Sequence, residues 1–329
     1  MNYKIKNKPI LVTGGAGFIG SQIVERLLSD GYETHVLDNL SQGNPQYIEK
    51  WKKSGNFKFL KIDLLDKKSL NQLDDYKLIY HCAADPEVRT SVTNPELHFS
   101  HNVNSTLNLL EVARKTLENF VFLSTSTVYG DAKQIPTPED YSPMEPISPY
   151  GASKLACESL ISSYAHSFDF KAINFRFANI IGETSTHGVI YDFIKKLKDN
   201  PKKLEILGDG TQNKSYLYIS DCVDAIQHGL SHSSKTVEAY NIGSEDTVDV
   251  KTIGKAVINE MGLADVQINY TGGVDGGRGW KGDVKNMQLS ISKIKSLGWT
   301  PVYNSLEAVK LTVKNILSKN LIFTSENSQ

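Results

Sequence analysis

The sequence predicts an α/β fold: a doubly wound parallel sheet with a smaller α/β region interleaved into its second half. Three observations predict it. Short apolar runs alternate with amphipathic segments through the first half of the chain. A glycine loop stands between the first apolar run and the first amphipathic segment. Polar residues recur where the apolar runs stop, and in a parallel sheet those stops gather on one edge, where ligands bind.

Taken in order, Pro9-Ile10-Leu11-Val12-Thr13 reads as a buried strand. Gly14-Gly15-Ala16-Gly17-Phe18-Ile19-Gly20 follows, and Ser21 to Leu28 has helical spacing at Ile23, Val24, Leu27 and Leu28. Glycines allow a tight turn and a close approach to a pyrophosphate, while the helix start offers N–H donors and positive partial charge. Both Gly15-x-Gly17-x-x-Gly20 and Gly14-x-x-Gly17-x-x-Gly20 are satisfied. Glu33 to Leu37 is a second strand ending at Asp38. A carboxylate about 20 residues past such glycines can accept both ribose hydroxyls of adenosine and repels a 2′-phosphate. NAD is therefore expected over NADP, although a strand-end turn could use the same residue. Phe57 to Ile62, Lys77 to His81, Phe120 to Leu123 and Ala172 to Phe177 continue the strands. Asn94 to Arg114 and Pro149 to Ser167 continue the helices. The glycine loop, Asp38, Asp63, Ala83 and Thr125 all follow strands and should share one sheet edge, as in a Rossmann-type fold.

The helix from Pro149 carries Tyr150 and Lys154 in its first turns. A free phenol is a poor base at neutral pH, with a pKa of about 10. A lysine four residues on can bring its ammonium to the phenol and, with the positive ring of NAD⁺ in a dry cleft, favour the phenolate enough to bring it near 7. Thr125 adds a hydroxyl that can bond the same substrate oxygen and relay its proton.

Composition narrows the alternatives. The 329 residues include 40% hydrophobic and 22% charged side chains, with a formal charge of −1. Such a chain builds a real core but has no basic field to draw nucleic acid or an anionic membrane. The apolar run after the basic N-terminus is too short for a signal peptide or a membrane span. Cys82, Cys157 and Cys222 lack metal-ligand spacing and read as reduced thiols in a cytoplasm. His98/His101 and His228/His232 have helical spacing but no added carboxylate, so no metal site is expected.

Gly14-x-x-Gly17-x-x-Gly20 with Tyr150-x-x-x-Lys154 resembles the extended short-chain dehydrogenase/reductase family. Asp38-Asn39-Leu40-Ser41-x-Gly43, Ser124 to Gly130 and Arg176-x-x-Asn179-x-x-Gly182 resemble its NAD-dependent nucleotide-sugar epimerases, with UDP-glucose 4-epimerisation as the nearest activity. Ser185 to Ile190 and Gly277 to Val284 are similar to the archaeal branch. The resemblance implies that Gly14, Gly17, Phe18, Ile19 and Gly20 hold the pyrophosphate. Asp38, Asn39, Ser41 and Gly43 would surround the adenosine ribose, and Asp63 and Leu64 would meet the adenine. Ala83, Ala84 and Asn102 would line the cofactor cleft, with Ala178 near the nicotinamide, and Lys154 would also bond the nicotinamide ribose. Tyr150, Lys154 and Thr125 would be catalytic, and Asn179, Val189 and Arg278 would touch the nucleotide sugar. A homodimer is implied as well, bundled through helices that include the one bearing Tyr150.

Related 4,6-dehydratases carry an Asp-Glu pair after the catalytic Thr, and related decarboxylases a Glu. Ser126 and Thr127 occupy those positions here, which favours simple oxidation and return of hydride. An NAD(H)-dependent sugar reductase or dehydrogenase is the alternative, and a non-catalytic NAD-binding sensor or scaffold is a third.

In the second half, Lys214 stands near where relatives carry a phosphate-binding Arg; it keeps the charge but loses the bidentate fork, and a solvated surface role is the alternative. Arg278 sits among glycines and suits a diphosphate, or else pairs with Asp275 or Asp283. Met287 lies near a position that gates bulk at the sugar C2 in relatives. Ser220-Asp221 reads as a helix N-cap. The expected division is 1–178 plus 216–243 for the NAD-binding domain and 179–215 plus 244–319 for the nucleotide-sugar domain, with 320–329 expected to fray.

Overall fold

The computed structural model describes residues 8–319; the tail expected to fray, 320–329, lies outside the described residues. Fourteen strands are described. They are β1 Ile10–Thr13, β2 Thr34–Leu37, β3 Phe57–Leu60, β4 Leu78–His81, β5 Asn119–Thr125, β6 Lys171–Phe177 and β7 Asn179–Ile181. Then come β8 Lys203–Ile206, β9 Asn213–Lys214, β10 Tyr216–Tyr218, β11 Val237–Ile242, β12 Val248–Asp249, β13 Gln267–Tyr270 and β14 Asn286–Met287.

Seven of these form one sheet in the order β11-β6-β5-β4-β1-β2-β3, and every pair in it is parallel. Parallel strands need crossovers, and the crossovers bury both faces. The alternation along single strands shows this. Ile10, Val12, Tyr80, Val121 and Phe175 pack with helices Phe18–Ser29 and Ile219–His232 in one cluster. Leu11, Ile79, Phe120, Phe122 and Ala172 pack with helices Ser105–Ala113 and Pro149–Phe168 in another. The strand order reverses at β1, so its carboxyl end opens the crevice between β1 and β4.

The second half adds small sheets: β7 with β10, β12-β9-β14, and β8 with β13. Helices Val189–Asp199, Val250–Glu260 and Ser305–Ser318 join the same cluster as the first sheet face, so one core runs through both halves. The β7–β10 pair joins Asn179–Ile181 to Tyr216–Tyr218, residues that the sequence-based division assigns to different domains. Strands of three residues carry no period from which to place such a boundary.

Two local expectations are corrected. Helix Ile219–His232 is capped at Tyr218 without a side-chain bond. Asp221 instead lies in its first turn and accepts the N–H groups of Val302 and Tyr303 at 2.9 and 3.3 Å, which serves a longer-range join. The single helix expected over Asn94–Arg114 is broken into Pro95–His98, a π-helical turn Phe99–Asn104, and Ser105–Ala113. Asn94 caps the first piece through Leu97 N–H at 3.2 Å.

Candidate active site

The glycine loop fits only glycine where it is tightest. Gly14 has φ +65°, and a Cβ there would stand 2.6 Å from the Ala83 nitrogen. A Cβ on Gly20 would stand 2.2 Å from the Gly14 carbonyl oxygen, so helix Phe18–Ser29 packs directly on the loop. That helix starts at Gly17 with no side-chain cap and no acidic residue in its first turn. The first N–H groups, around Phe18 and Ile19, are thus left for an external acceptor, and an anion is the natural one.

At the adenosine end, Asp38 is buried. Its Oδ2 accepts Ala16 N–H at 3.0 Å and its Oδ1 accepts Leu40 N–H at 2.8 Å. Burial raises its pKa, and these two backbone bonds oppose the rise. Each oxygen keeps lone-pair capacity for a hydroxyl donor, which fits a ribose diol. Gly43 closes this corner, where a Cβ would lie 2.8 Å from Asp38 Oδ1. The exposed Asn39 donates to Asp63 at 2.9 Å and accepts Ser41 N–H at 2.9 Å, joining the ends of β2 and β3. The Leu64 side chain is buried, and its carbonyl is held by Asn108 Nδ2 at 2.9 Å.

Ala83 and Ala84 follow β4 and line the crevice beside the glycine loop. Asn102, expected to line the cofactor cleft, is 2% exposed, and its amide is engaged inside the protein. Its Oδ1 accepts Asp85 N–H at 2.8 Å; its Nδ2 donates to the Asp85 carbonyl at 3.3 Å and to Ser153 Oγ at 2.9 Å. The π turn carries it there, and such turns recur at functional sites.

Helix Pro149–Phe168 begins at Ser148, whose Oγ accepts Gly151 N–H at 3.1 Å. Lys154 is 3% exposed and its Nζ lies 4.1 Å from the Phe122 ring centroid. No hydrogen-bond partner holds that ammonium among the described residues. Burial lowers its pKa to about 8, against the weaker opposing pull of Cys157, Glu158 and Cys82. Burial drives the Tyr150 phenol up to about 12; the nearby Thr125 hydroxyl works against that rise, while the charges of Asp85 and Cys157 add to it. The sequence-based expectation of a phenol near 7 is therefore not met by the chain by itself; Lys154 is not among the groups acting on it. Thr125 ends β5 and also accepts Thr127 N–H at 3.2 Å.

On the other side, Ala178 is buried with Val128, Tyr129 and Met287. Asn179 donates through Nδ2 to the Ser215 carbonyl at 3.1 Å. Val189 opens helix Val189–Asp199 after Gly188. Lys214 Nζ bonds Asp283 Oδ1 at 2.6 Å and lies 5.8 Å from the Trp280 ring centroid. Arg278 is gripped by Asp131 through two bonds of 3.0 and 2.8 Å and donates to the carbonyls of Asp283 and Asp275. Its carboxylate partner is thus neither Asp275 nor Asp283. Arg278 and Lys214 meet around Asp283, so both cations border one place.

Three supports have no sequence signal. His81 is buried with its Nδ1 2.7 Å from Thr13 Oγ and its Nε2 2.9 Å from Thr106 Oγ. Burial lowers its pKa to about 3, with the Lys154 charge adding to the effect. Thr106 donates its proton to the Asn102 carbonyl at 2.7 Å, so the neutral ring donates from Nε2 and accepts at Nδ1. Asn108 is the second support, holding Leu64. The third is a buried pair: Glu158, one turn beyond Lys154, takes the Arg176 guanidinium on Nε at 3.1 Å and on a terminal nitrogen at 2.7 Å.

Residues 10–243 match the model of the NAD dependent epimerase/dehydratase family. Among solved structures, a UDP-galactose 4-epimerase is 41% identical with a TM-score of 0.84, covering 95% of this chain and 100% of that one. A UDP-glucose 4-epimerase of Thermus thermophilus, solved in complex with NAD, is 32% identical with a TM-score of 0.82, covering 94% and 99%. A UDP-glucuronate 4-epimerase of Thermodesulfobacterium geofontis is 32% identical over 319 residues, 92% of this chain and 94% of that one.

Proposed function

The chain belongs to the NAD dependent epimerase/dehydratase family, and from that premise we propose that it interconverts UDP-sugars that differ at C4, UDP-glucose and UDP-galactose foremost. The observation that carries this is the buried Lys154 without a hydrogen-bond partner, one turn past Tyr150 on helix Pro149–Phe168, beside a strand that ends at Thr125 and is followed by Ser126 and Thr127 in place of carboxylic acids. Hydroxyls there suit oxidation and return of hydride at one carbon better than an elimination.

The residues fit NAD: the uncapped helix start at Gly17 for the pyrophosphate, Asp38 for the ribose diol, and the partnerless ammonium of Lys154 for the second ribose. Bound NAD supplies a reversible hydride acceptor. Tyr150 takes the C4 hydroxyl proton as that carbon is oxidised, and gives a proton back after the 4-keto sugar has turned. Thr125 bonds the same oxygen and steers the proton. Lys154 holds the ribose and brings positive charge to the dry end of the cleft. Arg278 and Lys214 meet the diphosphate, beside Asn179 and Val189.

Incubation with UDP-glucose, UDP-galactose and their N-acetyl forms, with epimers resolved and nicotinamide absorbance followed, tests this. Epimers should appear without net reduction of NAD. A stoichiometric absorbance change with no epimer would replace the epimerase by a dehydrogenase. Arg278→Ala should raise the UDP-sugar KM about 10-fold or more, since a charge-assisted bond contributes about 1.5–3 kcal/mol. An unchanged KM counts against the diphosphate contact.

We also propose a homodimer acting in the cytoplasm. Phe99 is 53% exposed, and Val92 and Leu97 are exposed on the same short helical segments beside helix Pro149–Phe168. Cys82, Cys157 and Cys222 are all free, as a reducing compartment keeps them. A two-fold interface would bury Phe99 twice at about 1.5–3 kcal/mol each, so Phe99→Glu should weaken the dimer about 100-fold or more. Sedimentation velocity checks this, and an undiminished dimer mass would exclude that face. No helix among the described residues is long and apolar enough to cross a membrane.

A further inference from the structure

We propose that Tyr47 and the Thr184 carbonyl form a clasp that NAD must open to enter or leave its cleft. The inference needs only the cofactor of the family and not the sugar chemistry proposed above. Tyr47 lies on the short helix Gln46–Glu49, at the far end of the loop that leaves β2 at Asp38. Its Oη donates to the Thr184 carbonyl at 2.7 Å, across 137 residues of sequence. Thr184 lies on the loop between β7 and helix Val189–Asp199. Among the described residues this is the hydrogen bond that joins the two loops.

Each loop is also tied to the start of helix Phe18–Ser29. Asn44 N–H donates to the Ala16 carbonyl at 2.9 Å, and a Cβ on Gly43 would stand 2.9 Å from that of Ala16. On the other loop, a Cβ on Gly182 would stand 3.2 Å from the Phe18 ring. Glu183, next to it, accepts Tyr218 Oη at 2.7 Å and Lys319 Nζ at 3.0 Å. The contacts close a circuit through Ala16, Asn44, Tyr47, Thr184, Gly182 and Phe18. Gly17 stands between its two ends, and Gly17 is the uncapped helix start that fits the pyrophosphate. The link in this circuit that can part is Tyr47 with Thr184. Pro45 and Gln46 on one loop and Thr186 and His187 on the other are exposed, so the outer parts can swing away with little buried surface lost. A hydroxyl–carbonyl bond is remade each time the loops meet. A reaction that returns its hydride has no need to release NAD between turnovers, so a clasp suits it better than an open cleft.

Cofactor exchange reads the clasp. Protein loaded with radiolabelled NAD is diluted into excess unlabelled NAD, and the label it retains is followed. Calorimetry on the NAD-free protein gives Kd, and the entry rate follows from the two. Tyr47→Phe, which removes only the hydroxyl, should speed release by about 3- to 10-fold, the factor expected of one lost hydrogen bond. As a bond within the chain, the clasp stands in the free and the loaded protein alike. Entry should therefore quicken by the same factor, and Kd should stay within about threefold. An unchanged release rate overturns the proposal. So does faster release matched by a weaker Kd, which would make Tyr47 an ordinary contact of the cofactor. If Tyr47→Phe fails to fold, Asn44→Ala decides by the same two rates, because Asn44 Oδ1 accepts Gln46 N–H at 3.0 Å and so sets the turn that presents Tyr47. None of these rates involves the sugar, so they decide on the clasp whether or not epimers form.

Discussion

Tyr150→Phe should lower kcat for UDP-sugar epimerisation by about 100-fold or more, the range expected when a general acid–base group is lost. The substitution removes one oxygen from a ring that is otherwise packed in the first turn of helix Pro149–Phe168. NAD binding and thermal stability should therefore stay close to those of the wild type, and calorimetry with NAD checks that the cleft is intact. Thr125 cannot take over, because its hydroxyl is a still weaker base and is already bonded within the Thr125–Thr127 turn. Near-normal epimerisation by the variant would remove Tyr150 from the chemistry.

The same residue makes a spectroscopic prediction. Burial holds the phenol up at about 12 in the chain alone, and a raised phenol pKa means the neutral form persists as pH rises through the usual range near 10. The wild-type minus Tyr150→Phe difference spectrum of the NAD-free protein should show no phenolate below about pH 10. Lys154, lowered to about 8 by burial, loses its charge first as the pH is raised. A phenolate signal near pH 7 without NAD would mean that the cleft is far more polar than its packing indicates. In the proposed reaction the positive charge of bound NAD⁺ would activate the base, so ionisation of Tyr150 should be coupled to cofactor binding.

Much of this site is local in sequence. The glycine loop, Asp38, Thr125 and the Tyr150–Lys154 pair each follow a strand or start a helix, and parallel topology alone gathers strand ends on one edge. What is not legible is carried by distant partners. Arg278 and Asp131 are 147 residues apart, and no spacing rule links them. Asn102 can be assigned to the cleft by resemblance, but its engagement by Asp85 and Ser153 depends on a π turn that no local pattern announces. That turn is stable because its amide finds partners on two other elements. The raised pKa of the Tyr150 phenol escapes the sequence for a similar reason. A charge four residues away is visible in sequence, whereas desolvation is a property of the folded surroundings.

Glu158→Ala should destabilise the protein by about 3–5 kcal/mol, the cost of leaving one buried charge without its partner. Arg176 and Glu158 are both buried, and three hydrogen bonds join them. Ser124 also donates to Glu158. The remaining Arg176 nitrogen donates to Tyr129 Oη at 2.8 Å and to the Glu139 carbonyl at 2.9 Å. Tyr129 continues the network to Asn241 at 2.8 Å. In Glu158→Ala the guanidinium keeps those two bonds but loses its carboxylate in a place that water cannot easily reach. Thermal unfolding should fall by roughly 10 °C, at about 2–4 °C per kcal/mol for a chain of this order of size. Glu158→Ala with Arg176→Met should recover part of the loss, because the uncompensated charge is then gone. A single-variant change under about 2 °C would mean that the network is relaxed or hydrated. Activity should fall as well, since Glu158 ties the helix turn after Lys154 to β6 through Arg176 and to β5 through Ser124, and so fixes where the ammonium stands.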